Sequence, residues 1–238
     1  MASPIVIVGV LGNIISSLVY LSPMKTFWRI VKKRSTEDFS CIPYVCTLLN
    51  GTLWVYYGII KPNSFLVATV NGFGAVTQIV YILIFLTFAS PRLRAKTAIQ
   101  FGILDVGFGA AIILFTKFMF QGDVRIDVAG FICVGSTMIA YGSPLAVMKT
   151  VIATKSVEYM PFLLSFAILL NGGVWTFYAV LAKDYFLGVP NGIGFLLGIA
   201  QLVLYAIYHR HKPLKKVSDN LEDGLQNESL IPASDPVS

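Results

Sequence analysis

This chain says the same thing twice. Tyr20 to Trp54 is restated at Tyr141 to Trp175: Ser22-Pro23 recurs as Ser143-Pro144, Arg34-Ser35-x-Glu37 as Lys155-Ser156-x-Glu158, Asn50-Gly51 as Asn171-Gly172, and Trp54 as Trp175, all at an offset of 121. The register then slips by one, and Asn71-Gly72-Phe73-Gly74 returns as Asn191-Gly192-Ile193-Gly194. A fixed offset across so many polar landmarks implies two copies of one structural unit, each delivering the same side chains to equivalent places.

The repeated unit is too apolar for a water-soluble domain: 56% of the chain is hydrophobic, 13% is charged, and the mean hydropathy is +0.75. Apolar runs of about 20 residues, each long enough to cross a bilayer as a helix, cover Ile5 to Pro23, Cys41 to Ile60, Ser64 to Phe88, Thr97 to Lys117, Asp127 to Met148, Pro161 to Ala182 and Tyr185 to Tyr208. A closed β-barrel would need alternating segments of about 10 residues, which these runs do not show. The first run lacks a basic leader and an A-x-A site, so it reads as a helix and not as a removable signal. The expectation is an all-α membrane protein with seven transmembrane helices.

Lys and Arg set its orientation. Lys25, Arg29, Lys32, Lys33 and Arg34 follow the first run, Arg92, Arg94 and Lys96 the third, Lys149 and Lys155 the fifth, and Arg210, Lys212, Lys215 and Lys216 the seventh. The opposite side carries only Lys61, Lys117, Arg125 and Lys183. The basic side is expected in the cytosol, with the C-terminus there and the N-terminus outside or lumenal. Both copies then start on one side. This predicts two parallel three-helix bundles, residues 5–90 and 126–209, joined by a linker helix within 91–125, with a disordered cytosolic tail at 210–238. The net charge of +6 is explained by topology, so nucleic acid is not an expected partner. Cys41, Cys46 and Cys133 lack metal spacing and read as buried free thiols; no metal or cofactor is expected.

No histidine stands within plausible reach of a nucleophile, so an enzyme is not expected. No phosphate-binding glycine loop is present to support nucleotide-driven transport. What remains is uncharged. Pro43, Asn50 and Trp54 fall on one helical face; Ser16, Val19 and Pro23 share another, echoed by Thr137, Ala140 and Pro144. Asn171 and Trp175 answer Asn50 and Trp54, and Asn71 and Asn191 stand near the starts of the third and seventh runs. Facing one another across a pseudo-twofold axis, these residues would wall a cavity with amides and two flat rings. Such a cavity suits a sugar, whose hydroxyls pair with amides and whose ring face stacks on indole.

Pro23, Pro43, Pro144 and Pro161 sit one in each of the first, second, fifth and sixth runs and read as hinges or helix starts. Pro43 precedes Asn50 by 7 residues but Pro161 precedes Asn171 by 10, so the symmetry is approximate. Asp105, on the linker helix, is the one acid placed inside a run other than its edges; a transport role and a packing role are both open to it. The other acids are assigned to loops and tail. With no charge in the repeats, facilitated diffusion is expected.

Ser22-Pro23, Lys33-Arg34-Ser35-Thr36-Glu37, Pro43-Tyr44, Val70-Asn71-Gly72, Tyr141-Gly142-Ser143-Pro144, Thr154-Lys155-Ser156-Val157-Glu158-Tyr159-Met160-Pro161-Phe162 and Pro190-Asn191-Gly192 closely resemble the SWEET family of sugar uniporters. The resemblance runs from about Ile5 to Tyr208. It implies that Asn71 and Asn191 bind sugar hydroxyls, Trp54 and Trp175 flank the ring, and Val19, Asn50, Ala140 and Asn171 shape the pocket. It also implies that the four prolines form a hinge tetrad and that Tyr57 and Asp184 make an outer gate. Trp54 stands where some members have a small residue, which narrows the cavity toward monosaccharides such as glucose or fructose, with disaccharides the wider class. Lys61-Pro62 to Gly74 and Phe186 to Asn191 look most like plant members of the vacuolar membrane; the plasma membrane is the alternative. A homo-oligomer in the bilayer is expected. A seven-helix receptor and a PQ-loop amino-acid exporter are the competing readings; the internal repeat opposes the first, and the missing proline-glutamine pair and pocket charge oppose the second.

Overall fold

In a bilayer each backbone amide must find its partner inside its own segment, which makes the apolar runs helical. The computed structural model describes residues 3–209. Its first span is α1 (Pro4–Leu21) followed by α2 (Met24–Lys33); α3 (Ile42–Ile60) and α4 (Phe65–Phe88) are the second and third. The fourth joins α5 (Pro91–Phe101), a π-helical segment (Gly102–Gly109) and α6 (Ala110–Met119). The fifth is α7 (Gly122–Ala140) with α8 (Gly142–Thr154); α9 (Phe162–Ala182) and α10 (Tyr185–Tyr208) complete the set. Six of these seven units are long and apolar enough to cross a membrane by length and composition. The remaining one, α3, has 19 residues and no charge, but Asn50, Trp54, Tyr56 and Tyr57 lower its hydropathy. The tail expected to be disordered lies outside the described residues.

The repeat is written into the backbone. Pro23 and Tyr141 each interrupt a span one turn after its polar face. The helices that follow, α2 and α8, both end on a left-handed residue at equivalent positions, Arg34 at φ 50° and Lys155 at φ 51°. Beyond them Ser35 Oγ accepts from the Glu37 amide at 3.2 Å and Ser156 Oγ from the Glu158 amide at 3.3 Å, so the two [Arg/Lys]-Ser-x-Glu motifs are helix stops with the same local hydrogen bond.

Packing departs from chain order in the same way in both halves. Helix α1 lies against α4, and α4 against α3, so the third span stands between the first two; in the second half α10 packs on both α7 and α9. The halves meet through α1 on α9 and α3 on α7, the exchange a pseudo-twofold axis requires. Close approach uses glycine: a Cβ at Gly58 would come within 2.6 Å of the Ala68 backbone nitrogen, which lets α3 and α4 touch backbone to backbone.

Several expectations change. The first and fifth spans run beyond Pro23 and Met148, to Lys33 and Thr154, because the broken helices resume after their prolines. Pro23 caps α2 and Pro144 lies in the first turn of α8, both at helix breaks. Pro43 stands in the first turn of α3 and Pro161 is the N-cap of α9. A proline there costs no hydrogen bond, since those amides have no intrahelical partner. Asp123 and Asp127 lie in the first turns of α7, not in a loop. Cys41 and Cys133 are buried free thiols, but Cys46 is exposed.

Candidate sugar-binding cavity

A cavity of about 170 Å³ lies between the halves, walled by Ser16, Tyr20, Asn50, Trp54, Val67, Val70, Asn71, Thr137, Asn171, Trp175, Leu187, Pro190 and Asn191. Twelve of these thirteen form six repeat pairs: Ser16 with Thr137, Asn50 with Asn171, Trp54 with Trp175, Val67 with Leu187, Val70 with Pro190, and Asn71 with Asn191. Of the nine residues expected to bind, Ser16, Asn50, Trp54, Asn71, Asn171, Trp175 and Asn191 are on this wall. Val19 and Ala140 are not. Tyr20, the neighbour of Val19, lines the cavity instead, and the exposed Ala140 borders a different cavity inside the second half.

Each half lends a hydroxyl to the other. Trp54 Nε1 donates to Thr137 Oγ1 at 3.0 Å, and Thr137 Oγ1 is 3.1 Å from Asn50 Oδ1. Across the axis Trp175 Nε1 donates to Ser16 Oγ at 2.9 Å, and Ser16 Oγ donates to Asn171 Oδ1 at 2.5 Å. Satisfying both indole N–H groups in this way fixes the rings. It also leaves the Nδ2 groups of Asn50 and Asn171 without a partner among the described residues, free to donate into the cavity. Asn71 Nδ2 donates to the Val67 carbonyl at 2.9 Å and Asn191 Nδ2 to the Leu187 carbonyl at 2.8 Å, which leaves both amide oxygens as acceptors, the Asn71 oxygen also accepting from the Tyr20 hydroxyl at 3.5 Å. The wall thus offers two donors, two acceptors and two indoles in mirrored positions, with no charge.

One end is sealed. Leu53, Trp54, Tyr57, Val67, Val70, Ala129, Cys133, Trp175, Tyr178, Ala179 and Leu187 form a single buried cluster drawn from both halves. Above it Tyr57 donates to Asp184 Oδ1 at 2.9 Å, while Lys61 Nζ lies 2.8 Å from Asp184 Oδ2 and 2.9 Å from the Tyr57 hydroxyl. Asp184 is placed by the end of α9: Lys183 turns left-handed at φ 51°, the Asp184 amide reaches back to the Ala179 carbonyl at 2.9 Å, and the carboxylate then caps α10 through the Leu187 amide at 3.1 Å. Tyr57 and Asp184 were legible as a pair; Lys61 was not, because the residue 121 later is Ala182. Pro190 was also missed as a wall residue; its carbonyl accepts from Tyr141 at 2.6 Å. The second buried cluster, Phe27, Ile30, Cys41, Val45, Leu48, Tyr81, Ile82, Phe85 and Ala89, lies at the basic end and within the first half only.

Asp105 lies in the π-helical segment, away from the cavity wall, and neither carboxylate oxygen has a hydrogen-bond partner among the described residues. No cluster of metal-ligating side chains is found among the described residues.

The family described as "Sugar efflux transporter for intercellular exchange" matches twice, at residues 6–93 and 127–213. The chain belongs to the SWEET family of sugar transporters. Its similarity to the bidirectional sugar transporter SWEET17 of Arabidopsis thaliana is 50% identity over 92% of this chain and 93% of that one. With SWEET16 of the same plant it is 50% over 94% and 96%. A solved eukaryotic SWEET transporter superposes with a TM-score of 0.83 at 39% identity, covering 86% of this chain and 96% of that chain. The two family matches fall on the two halves, and the fourth span lies between them. The 3+1+3 architecture of seven helices therefore stands, and the receptor and PQ-loop readings fall.

Proposed function

We propose that this SWEET-family chain is a bidirectional uniporter for a single hexose, glucose or fructose, with Asn71, Asn191, Asn50 and Asn171 pairing with its hydroxyls and Trp54 and Trp175 flanking its ring. The observation that carries this reading is the mirrored pair of Asn-hydroxyl-indole bridges around a cavity of about 170 Å³. A volume below the usual range for drug-sized ligands, roughly 300–1,000 Å³, favours one ring over a disaccharide. The absence of any charged wall residue favours transport down a gradient over coupling to an ion.

On this reading the Tyr57–Asp184–Lys61 seal is the outer gate and the cavity opens toward the basic, cytosolic end. Residues 5–90 and 126–209 rock as two units, with Pro23 and Pro144 as hinges and Pro43 and Pro161 setting helix starts beside them. The vacuolar membrane is the proposed location and a homo-oligomer the proposed assembly. Uptake of labelled glucose, fructose and sucrose in yeast lacking hexose transporters, with Asn191→Ala beside the unaltered chain, tests the central claim. Hexose uptake that Asn191→Ala lowers at least tenfold with unchanged surface expression is the expected result. No uptake of any sugar by a surface-expressed parent chain overturns it.

A further inference from the structure

The two halves match at the sugar cavity but not at the basic end. In the first half Phe27, Tyr44 and Tyr81 fill the space between the helices: Phe27 stacks on Tyr81 at 4.2 Å between ring centroids and meets Tyr44 edge-on at 4.8 Å. The equivalent residues in the second half, 121, 121 and 120 positions later, are Met148, Ser165 and Gln201. Three rings are exchanged for three smaller or unbranched side chains, and the space stays open as a cavity of about 360 Å³.

The walls of this cavity are mostly apolar, and none of the residues lining it is charged. Of its polar side chains, Tyr141, Ser143, Tyr159, Ser165 and Gln201, two are buried. Ser165 is 2% exposed and Gln201 is 5% exposed. Neither side chain makes a hydrogen bond among the described residues, and Gln201 Oε1 is a buried acceptor with no partner. A buried amide oxygen left unsatisfied costs about 1–3 kcal/mol, and a ligand with a donor removes that cost. The same cavity touches Tyr141 and Pro144 at the break of the fifth span.

We propose that this cavity is a second binding site, distinct from the sugar cavity. Its ligand is a small uncharged apolar molecule carrying one hydroxyl, a phenol or an alkanol, whose hydroxyl donates to Gln201 Oε1 and whose body fills the space that Phe27, Tyr44 and Tyr81 occupy in the first half. A sugar does not fit the chemistry, since two buried polar groups in a mostly apolar wall cannot satisfy its many hydroxyls. An occupant wedged against Tyr141 and Pro144 holds the fifth span in its present bend and slows exchange between the two faces. Only this last consequence rests on the transport reading; binding does not.

The probes are 4-propylphenol and propylbenzene, of matching shape with and without the hydroxyl, added to the full chain in nanodiscs and in glucose-loaded liposomes. Saturable binding of 4-propylphenol is expected by calorimetry. Gln201→Leu should weaken it roughly tenfold while leaving propylbenzene unchanged, the size of one hydrogen bond. The double substitution Ser165→Tyr with Gln201→Tyr rebuilds rings in the second half and should abolish binding of both probes while glucose flux persists and loses its sensitivity to 4-propylphenol. Equal affinity for the two probes in the parent chain, or binding that Gln201→Leu leaves intact, overturns the site. A parent chain that binds 4-propylphenol as described but moves no glucose overturns the transport reading and leaves the site standing.

Discussion

Removing Lys61 should open the sealed end. Asp184 is 1% exposed at its side chain and Lys61 22%, and the Lys61 ammonium lies 2.8 Å from Asp184 Oδ2. In Lys61→Met the carboxylate keeps the Tyr57 hydroxyl and the Leu187 amide on Oδ1 but loses its one ion-pair partner among the described residues. Breaking one side of a buried ion pair costs about 3–5 kcal/mol. Here that cost falls on the closed arrangement, since opening lets Asp184 reach water. At about 1.4 kcal/mol per factor of ten, the open population should rise by roughly a hundredfold or more. Tyr57→Phe removes two hydrogen bonds, to Asp184 and from Lys61, together worth about 2 kcal/mol, and should shift it by only about thirtyfold. Cys133 reports the change: it is 1% exposed, inside the cluster that seals this end. In a Cys41→Ser, Cys46→Ser background, a membrane-impermeant maleimide applied from the Lys61 side should label Cys133 far faster in Lys61→Met, with Tyr57→Phe between it and the parent. Unchanged labelling in a Lys61→Met protein that remains folded by size exclusion and thermal melting refutes the gate.

Thr137→Val keeps the side-chain shape but removes the oxygen that joins Trp54 Nε1 to Asn50. Sugar KM should rise about five- to tenfold, consistent with one to two hydrogen bonds, and Ser16→Ala should do the same from the other half; an effect from only one of the two contradicts the symmetric wall. Glu37 is held below the ordinary carboxylate range, first by the Lys33 ammonium and then by the Arg29 guanidinium. Its contribution to stability is therefore present from neutral pH down through that range and is lost as the pH falls below it. The Tm gap between the parent chain and Glu37→Gln should hold constant above the range and close at lower pH, and a gap that widens on acidification contradicts the pairing.

Much of the site was legible because it is duplicated. Asn50 with Asn171, Trp54 with Trp175 and Asn71 with Asn191 stand out against apolar helices only through their shared offset, and all six reach one wall. The same filter hid what is not duplicated. Lys61 has Ala182 as its counterpart, and Tyr44 and Tyr81 answer to Ser165 and Gln201, so neither the third member of the Tyr57–Asp184–Lys61 cluster nor the second cavity could be seen. Val19 and Ala140 share the helical faces of Ser16 and Thr137 but do not line the cavity, since a helical face does not say which of its residues the neighbouring helices leave uncovered.

The sequence alone determined the spanning helices, their number and the repeat. A bilayer forces every backbone amide to be satisfied within about 20 local residues, and local constraints are readable locally. The tertiary structure decided that the third span stands between the first two, that each half's indole is held by the other's hydroxyl, and which end is sealed. These depend on pairings between residues 83 to 159 apart, on helices whose apolar surfaces carry almost no signal about which neighbour they will meet.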